Sequence, residues 1–270
     1  MKRQLALLIW AAFLVISTAS SAAAVPERVV SLVPSVTESI FAIDAGEQLV
    51  GVTSWCDYPE EAQEREVVGD AFNLNMEVLL SLEPDAVIGD SNLVAHHMEA
   101  LKDVGIEMFT IEPLTYDEVA ESLEKLGAYL GQEEQAAEAA ERMRTRRDEI
   151  LADVPDQEGP LVFVETWNEP ISSAGPGSFL HELLEMAGAS NIAHDMKEPW
   201  GQFSEELVIE RDPEVILLTN FNYDEVMQRD AWRELTAVQN ERVYEVDPDV
   251  FARTSTRLAD ALEALVDILY

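Results

Sequence analysis

Glu77-Val78-Leu79-Leu80-Ser81-Leu82-Glu83-Pro84-Asp85-Ala86-Val87-Ile88 and Glu206-Leu207-Val208-Ile209-Glu210-Arg211-Asp212-Pro213-Glu214-Val215-Ile216-Leu217 are two copies of one phrase. In each, a Glu opens a short apolar helix, an acidic residue and a Pro stop it, and a β-branched strand follows. The copies lie about half a chain apart in 270 residues, which signals two similar lobes. Two lobes imply a cleft, and clefts are where ligands sit. The repeat also places Glu77 and Glu206 at the same offset before Pro84 and Pro213.

Working outward, strands and helices alternate on both sides of each copy. In the first half, strands are predicted over 28–33, 49–53, 86–88 and 107–111, with helices over 37–44, 75–82, 94–104 and 116–130. Residues 132–154 then contain no Gly or Pro and are rich in Ala, Glu and Arg. They predict one helix of roughly 33 Å, with Ala136, Ala139, Ala140, Met143 and Ile150 on its apolar side. Pro155 to Pro160 punctuates the middle of the chain. The second half predicts strands over 161–165, 215–219 and 243–246, and helices over 179–186, from Glu206, over 224–235 and over 258–269. The expected fold is α/β, two lobes with parallel sheets joined by a single long helix. The expected boundaries are a first lobe over 25–131, a connecting helix over 132–155 and a second lobe over 156–270.

The first 24 residues read differently. Lys2 and Arg3 precede an apolar run from Leu5 to Ile16, and small residues follow up to Ala24. This pattern predicts a secretory signal peptide cut after Ala24, and hence an exported, periplasmic protein. Should the signal stay uncleaved, it would tether the protein at the outer face of a membrane. Cys56 is the only cysteine, so no internal disulfide is possible, and none sits at the cleavage site for lipid attachment. Acidic residues number 53 against 17 basic ones, for a net charge of −36. Such a surface repels nucleic acid and anionic lipid and excludes most functions in those classes.

Doubly wound sheets bind ligands beyond the carboxyl ends of their strands. The loops there carry Ser35, Trp55, Asp70 and Phe72 in the first half, and Trp167, Trp200, Phe251 and Arg253 in the second. A tryptophan in a loop is harder to assign to core packing than one on a helix face. Trp55, Trp167 and Trp200 together predict a cleft lined for a large flat or apolar ligand. Catalytic patterns are poor: there is no Gly-x-Ser-x-Gly elbow, phosphate loop or His-Glu-x-x-His. His96 and His97 are adjacent on a predicted helix and diverge by about 100°, so no protein-ligated metal site and no catalytic set is expected.

Three stretches carry a resemblance. They are Val30-Ser31-Leu32-Val33-Pro34-Ser35-Val36-Thr37-Glu38, Leu49 to Thr53 with Cys56-Asp57-Tyr58-Pro59, and Pro199-Trp200 with Ser204-x-Glu206. Across most of the mature chain the sequence resembles periplasmic cobalamin-binding proteins of ABC importers, within the helical-backbone superfamily of class III periplasmic binding proteins. That resemblance implies two Rossmann-like lobes on one rigid helix and a corrinoid held between them by aromatic side chains. The corrinoid would be the transported ligand, with no resident cofactor. The implied partners are an ABC permease dimer and its ATPase, with the binding protein itself a monomer. Trp55 and Trp200 match the family's cleft aromatics, and Glu77 and Glu206 match the lobe-surface glutamates that meet permease arginines. One departure stands out. Asp70-Ala71-Phe72 occupies a loop where these proteins carry a Trp, leaving Phe72 in its place. Arg253 is open to two readings, a receptor for an anionic siderophore or haem propionate, or a partner in an internal ion pair. Haem or ferric-siderophore capture is therefore the alternative ligand class. An exported corrinoid- or metal-processing enzyme is the alternative of a different kind.

Overall fold

The computed structural model describes residues 24–270; the predicted leader lies outside them apart from its last residue. The first lobe is built on β1 (Val29–Ser31), β2 (Leu49–Val52), β3 (Glu66–Val67), β4 (Ala86–Asp90) and β5 (Glu107–Ile111). They form one parallel sheet in the order β3-β2-β1-β4-β5. Its helices are α1 (Pro34–Ala42), α2 (Met76–Ser81), α3 (Ser91–Val94), α4 (Met98–Asp103) and α5 (Tyr116–Leu130). α1 starts earlier than the 37–44 predicted, because Pro34 occupies a first-turn position where its missing N–H costs nothing. The helix predicted over 94–104 is broken: α3 and α4 flank a 3-10 turn at Ala95–His97.

α6 (Glu133–Ala152) follows, at about 30 Å slightly shorter than predicted. It packs antiparallel on α5, and Gly127 lets the two approach: a Cβ there would sit 2.2 Å from that of Ala136. Thr115 caps α5 through the Glu118 N–H, and Gly131 ends it in the left-handed region.

The second lobe contains β6 (Leu161–Glu165), β7 (Trp167–Asn168), β8 (Ile171–Ala174), β9 (Ser190–Asn191), β10 (Trp200–Gln202), β11 (Val215–Leu218) and β12 (Val243–Glu245). Its parallel sheet runs β12-β11-β6-β9, and β10-β8-β7 form a small antiparallel sheet that the sequence reading did not anticipate. Its helices are α7 (Phe179–Met186), α8 (Glu205–Arg211), α9 (Tyr223–Met227), α10 (Thr236–Gln239), α11 (Pro248–Phe251) and α12 (Leu258–Leu269). The helix predicted over 224–235 stops at Met227, and a 3-10 turn at Asp230–Trp232 follows. The break lets Arg229 turn inward.

The repeated phrase is repeated in three dimensions. Glu77 and Glu206 are each the second residue of their helix, α2 and α8. Glu83 and Asp212 each adopt a left-handed φ, 46° and 43°, immediately before the proline. The acid after each proline then fastens the neighbouring strand. Asp85 accepts from the backbone N–H groups of Glu27 and Arg28, and Glu214 from that of Leu161.

Period-2 alternation divides the second sheet. Phe163, Ile216 and Leu218 face a local cluster with Phe203, Val208 and Trp232. Val162, Val164, Val215 and Leu217 face the other way, into a core continuous with the first sheet through α5, α6, α7 and α12. α6 packs on α5 of the first half and on α12 of the second, where Arg146 pairs with Asp260 and Glu263.

Candidate functional site

Both parallel sheets point their carboxyl ends at one cleft. From the first lobe come Pro34 and Ser35 after β1, Trp55 after β2, Asp90 at the end of β4 and Leu114 beyond β5. From the second come Thr166 and Trp167 after β6, Asn220 after β11 and Phe251 to Thr254 beyond β12. They enclose a cavity of about 1080 Å³, large enough for a ligand beyond ordinary drug size.

Aromatic side chains dominate the exposed part of this wall. Trp55, Trp167 and Trp200 remain 47%, 58% and 42% exposed, which packing alone does not explain. Trp200 is held by antiparallel pairing of β10 with β8 and by the Phe179 ring at 5.2 Å. The Trp167 indole N–H donates to the Glu169 carbonyl at 3.1 Å. Phe251 is buried in the wall behind them. Phe72 is not a wall residue. It meets Trp55 edge-on at 5.7 Å and stacks on His96 at 6.4 Å, so it buttresses the tryptophan from outside. Asp70 does not reach the cavity either: its carboxylate accepts the backbone N–H groups of Phe72 and Asn73, both at 2.8 Å, and shapes that loop. Those hydrogen bonds hold its pKa below the ordinary value. Sequence reasoning missed Phe179 and Pro199 as wall residues. The signal for Phe179 was present, an aromatic first residue on a Ser-capped helix after Gly175-Pro176-Gly177.

Arg253 resolves into an internal ion pair that joins the lobes. Its guanidinium donates to Glu38 on α1 and Asp57 beyond β2, each at 2.8 Å, and to Asp249 on α11. Ser255 donates to the other oxygen of Glu38, and Arg257 lies 3.7 Å from that carboxylate and over the Tyr58 ring. Burial raises the pKa of Glu38, outweighing Ser255 and Arg253. Burial also acts against Asp57, but there the hydrogen bond and charge of Arg253 prevail and lower it. For Arg253 itself burial works downward, yet the surrounding carboxylates raise its pKa. Behind the second-lobe wall, Glu165 receives both terminal nitrogens of Arg229 and the Asn222 amide. Arg229 lies over Trp232 at 4.3 Å, and the Trp232 indole N–H donates to Glu205 at 3.0 Å.

Residues 29–250 match the periplasmic binding protein family. The chain belongs to that family. This binding protein is 34% identical over 254 residues to the uncharacterized ABC transporter substrate-binding lipoprotein YvrC of Bacillus subtilis (strain 168), covering 91% of this chain and 80% of that one. It is 32% identical over 266 residues to the vitamin B12-binding protein of Pectobacterium atrosepticum, covering 96% and 93%. Among solved structures, the apo periplasmic heme-binding protein RhuT of Roseiflexus sp. RS-1 superposes with a TM-score of 0.79 at 25% identity, covering 90% and 97%. The protein is thus a substrate-binding component of ABC-importer type, and its α/β fold with parallel sheets is the one expected from the sequence.

Away from the cleft, this binding protein exposes Glu77 and Glu206 on its surface. Ser204 hydrogen-bonds the Glu206 carboxylate and lowers its pKa. Asn75 instead caps its own helix through the Val78 N–H. Among the described residues, no cluster of three His, Cys, Asp or Glu side chains is arranged to hold a metal. No helix of these residues is long and apolar enough to cross a membrane.

Proposed function

We propose that the cleft takes a corrinoid, cobalamin in the first instance, and that the protein hands it to an importer. The charge of the wall carries this reading. Arg253 is the one cation lining the cavity among the described residues, and three carboxylates already claim it. A ligand with carboxylate arms would meet Asp249 and a spent arginine, at a cost in desolvation and repulsion. A corrinoid offers a flat apolar face to the tryptophans and arms that are largely neutral carboxamides. The likeness to a vitamin B12-binding protein over nearly the whole chain supports the same ligand. Haem capture is the second reading, favoured by the likeness to RhuT, and ferric siderophores belong with it. It requires Arg253 to release a carboxylate to meet the ligand's.

Fluorescence titration with cyanocobalamin, haemin and a ferric siderophore separates the readings. Saturable quenching of the cleft tryptophans by cyanocobalamin is expected. Quenching by haemin or the siderophore alone would overturn the corrinoid assignment.

Glu77 and Glu206 serve, on this reading, as matched negative knobs for basic sockets on a two-fold permease dimer. They are exposed, in equivalent places on the two lobes, and away from the cavity wall. The double variant Glu77→Lys/Glu206→Lys should abolish permease docking while leaving ligand affinity within about twofold. Weakened ligand binding in that variant would make the pair structural instead.

A further inference from the structure

Exposure along the repeated phrase matches position for position. From Glu77 to Ile88 and from Glu206 to Leu217, each residue of one copy is buried, half-buried or exposed as its counterpart is. Most of the matched exposed positions have local work. Asp85 and Glu214 fasten neighbouring strands, and Glu83 and Asp212 make the left-handed stop before the proline. Leu80 and Ile209 have none of this kind. They are large aliphatic side chains, yet 41% and 42% exposed. One exposed leucine on a surface is ordinary. Two aliphatics, equally exposed at equivalent points of two lobes, are not accounted for by packing within either lobe. Leu80 lies three residues beyond Glu77 and Ile209 three beyond Glu206, so each shares a helix face with its glutamate. Neither lines the ligand cavity.

Charge alone does not tell a partner where to sit on this protein. With 53 acidic residues against 17 basic ones, a basic socket meets a carboxylate almost anywhere on the surface. An exposed ion pair is also worth little and is screened by salt. A fixed aliphatic one helical turn from the acid supplies what charge lacks. It sets the register, and its burial is an attraction that screening does not weaken.

We propose that Leu80 and Ile209 are the apolar half of the docking surface. Each enters an apolar pocket beside the basic socket that receives its glutamate, on one subunit of the permease dimer. The occupant is a two-fold symmetric partner because the acid–aliphatic pair occurs twice, once on each lobe, and such a partner offers two like sockets. This inference rests on the docking reading of Glu77 and Glu206 and deepens it.

The test measures docking of the mature protein onto the source organism's own importer, permease with ATPase, in lipid nanodiscs. Leu80→Gln and Ile209→Gln should each weaken docking about tenfold, and together about a hundredfold, since they lie on different lobes. That loss should be equal at about 0.05 and about 0.5 M NaCl, whereas the loss in Glu77→Gln/Glu206→Gln should shrink as salt rises. Leu80→Met/Ile209→Met, which keeps the apolar volume, should dock within about twofold of wild type. Cyanocobalamin quenching and the urea midpoint check each variant's cleft and fold. Normal docking of the double Gln variant overturns the inference. So does a loss in the Met variant equal to that in the Gln variant, or a loss that follows a lowered urea midpoint. Self-association of the free protein that the Gln variant abolishes would assign the aliphatics to a second copy of the chain and overturn it too. If Glu77→Lys/Glu206→Lys fails to dock while the Gln variant of the aliphatics docks normally, only the aliphatic role falls. If both dock as wild type does, the docking reading falls with it.

Discussion

Glu165 and Glu38 are both almost fully withdrawn from water, and each faces an arginine near the cleft. Their settings differ. Glu165 ends a strand of the second sheet, and every group that satisfies it belongs to the same lobe: Arg229 with two nitrogens, and the Asn222 amide. Glu38 sits in the first lobe and is satisfied from the second, by Arg253 and Ser255. Its arginine is shared with Asp57 and Asp249, and Arg257 stands in reserve. One cluster is a fixture of a single wall. The other is a seam between walls, with redundant partners. Buried charge can thus serve rigidity within a lobe and alignment between lobes, and the number of alternative partners distinguishes the two.

That contrast can be broken by substitution. Arg229→Met leaves Glu165 buried opposite an apolar side chain and also removes the cation over Trp232. It should cost about 3–5 kcal/mol in urea unfolding at neutral pH. Arg253→Met should cost less, about 1–3 kcal/mol, because Ser255 and Arg257 still serve Glu38 and the other two acids are half exposed. If Arg253→Met proves the more damaging, the seam and not the wall is the stronger element.

The smallest effect sharpens the comparison through pH. The raised pKa of Glu38 means that the folded protein holds this proton to higher pH than the unfolded chain does, whose value is near 4.5. Stability from this group therefore falls as pH rises from about 4.5 through the folded value. Asp57 behaves oppositely, its contribution being present above 3.8 and lost as pH falls through its depressed folded value. Glu182 is also raised by burial, so the readout is the difference between wild type and Glu38→Gln. Wild type should lose stability relative to that variant as the pH climbs above 4.5. A difference that stays flat across the window would show that Glu38 holds its proton no more tightly in the folded protein than in the unfolded chain.

Much of the framework was legible where one local signal sufficed. β5, α5, β6, α7 and α12 fall where periodicity placed them, and the structure adds Thr115 and Ser178 as helix caps and Gly131 as a stop. The wall tryptophans were legible because a loop gives a large aromatic nothing to pack on. The small sheet of β7, β8 and β10 was not, since strands of two to four residues are too short to display alternation. α9 ends early for a tertiary reason, the reach of Arg229 to Glu165, which no window of sequence contains. Arg253 and Glu38 are 215 positions apart, and in a chain this acidic any arginine has many formal partners. Asp70 could have been read better: an Asp three residues before an Asn is a turn signal before it is a ligand contact.

The core that runs uninterrupted from the first sheet through α5, α6, α7 and α12 to the second has a mechanical consequence. Swinging the lobes apart would bring that shared apolar surface into water, at about 2.5 kcal/mol for each ~100 Å² uncovered. Thermal energy supplies little of that, so the cleft can rock but not gape. A ligand seated in the cleft must therefore enter and leave through a mouth whose width this shared core, not a flexible linker, sets.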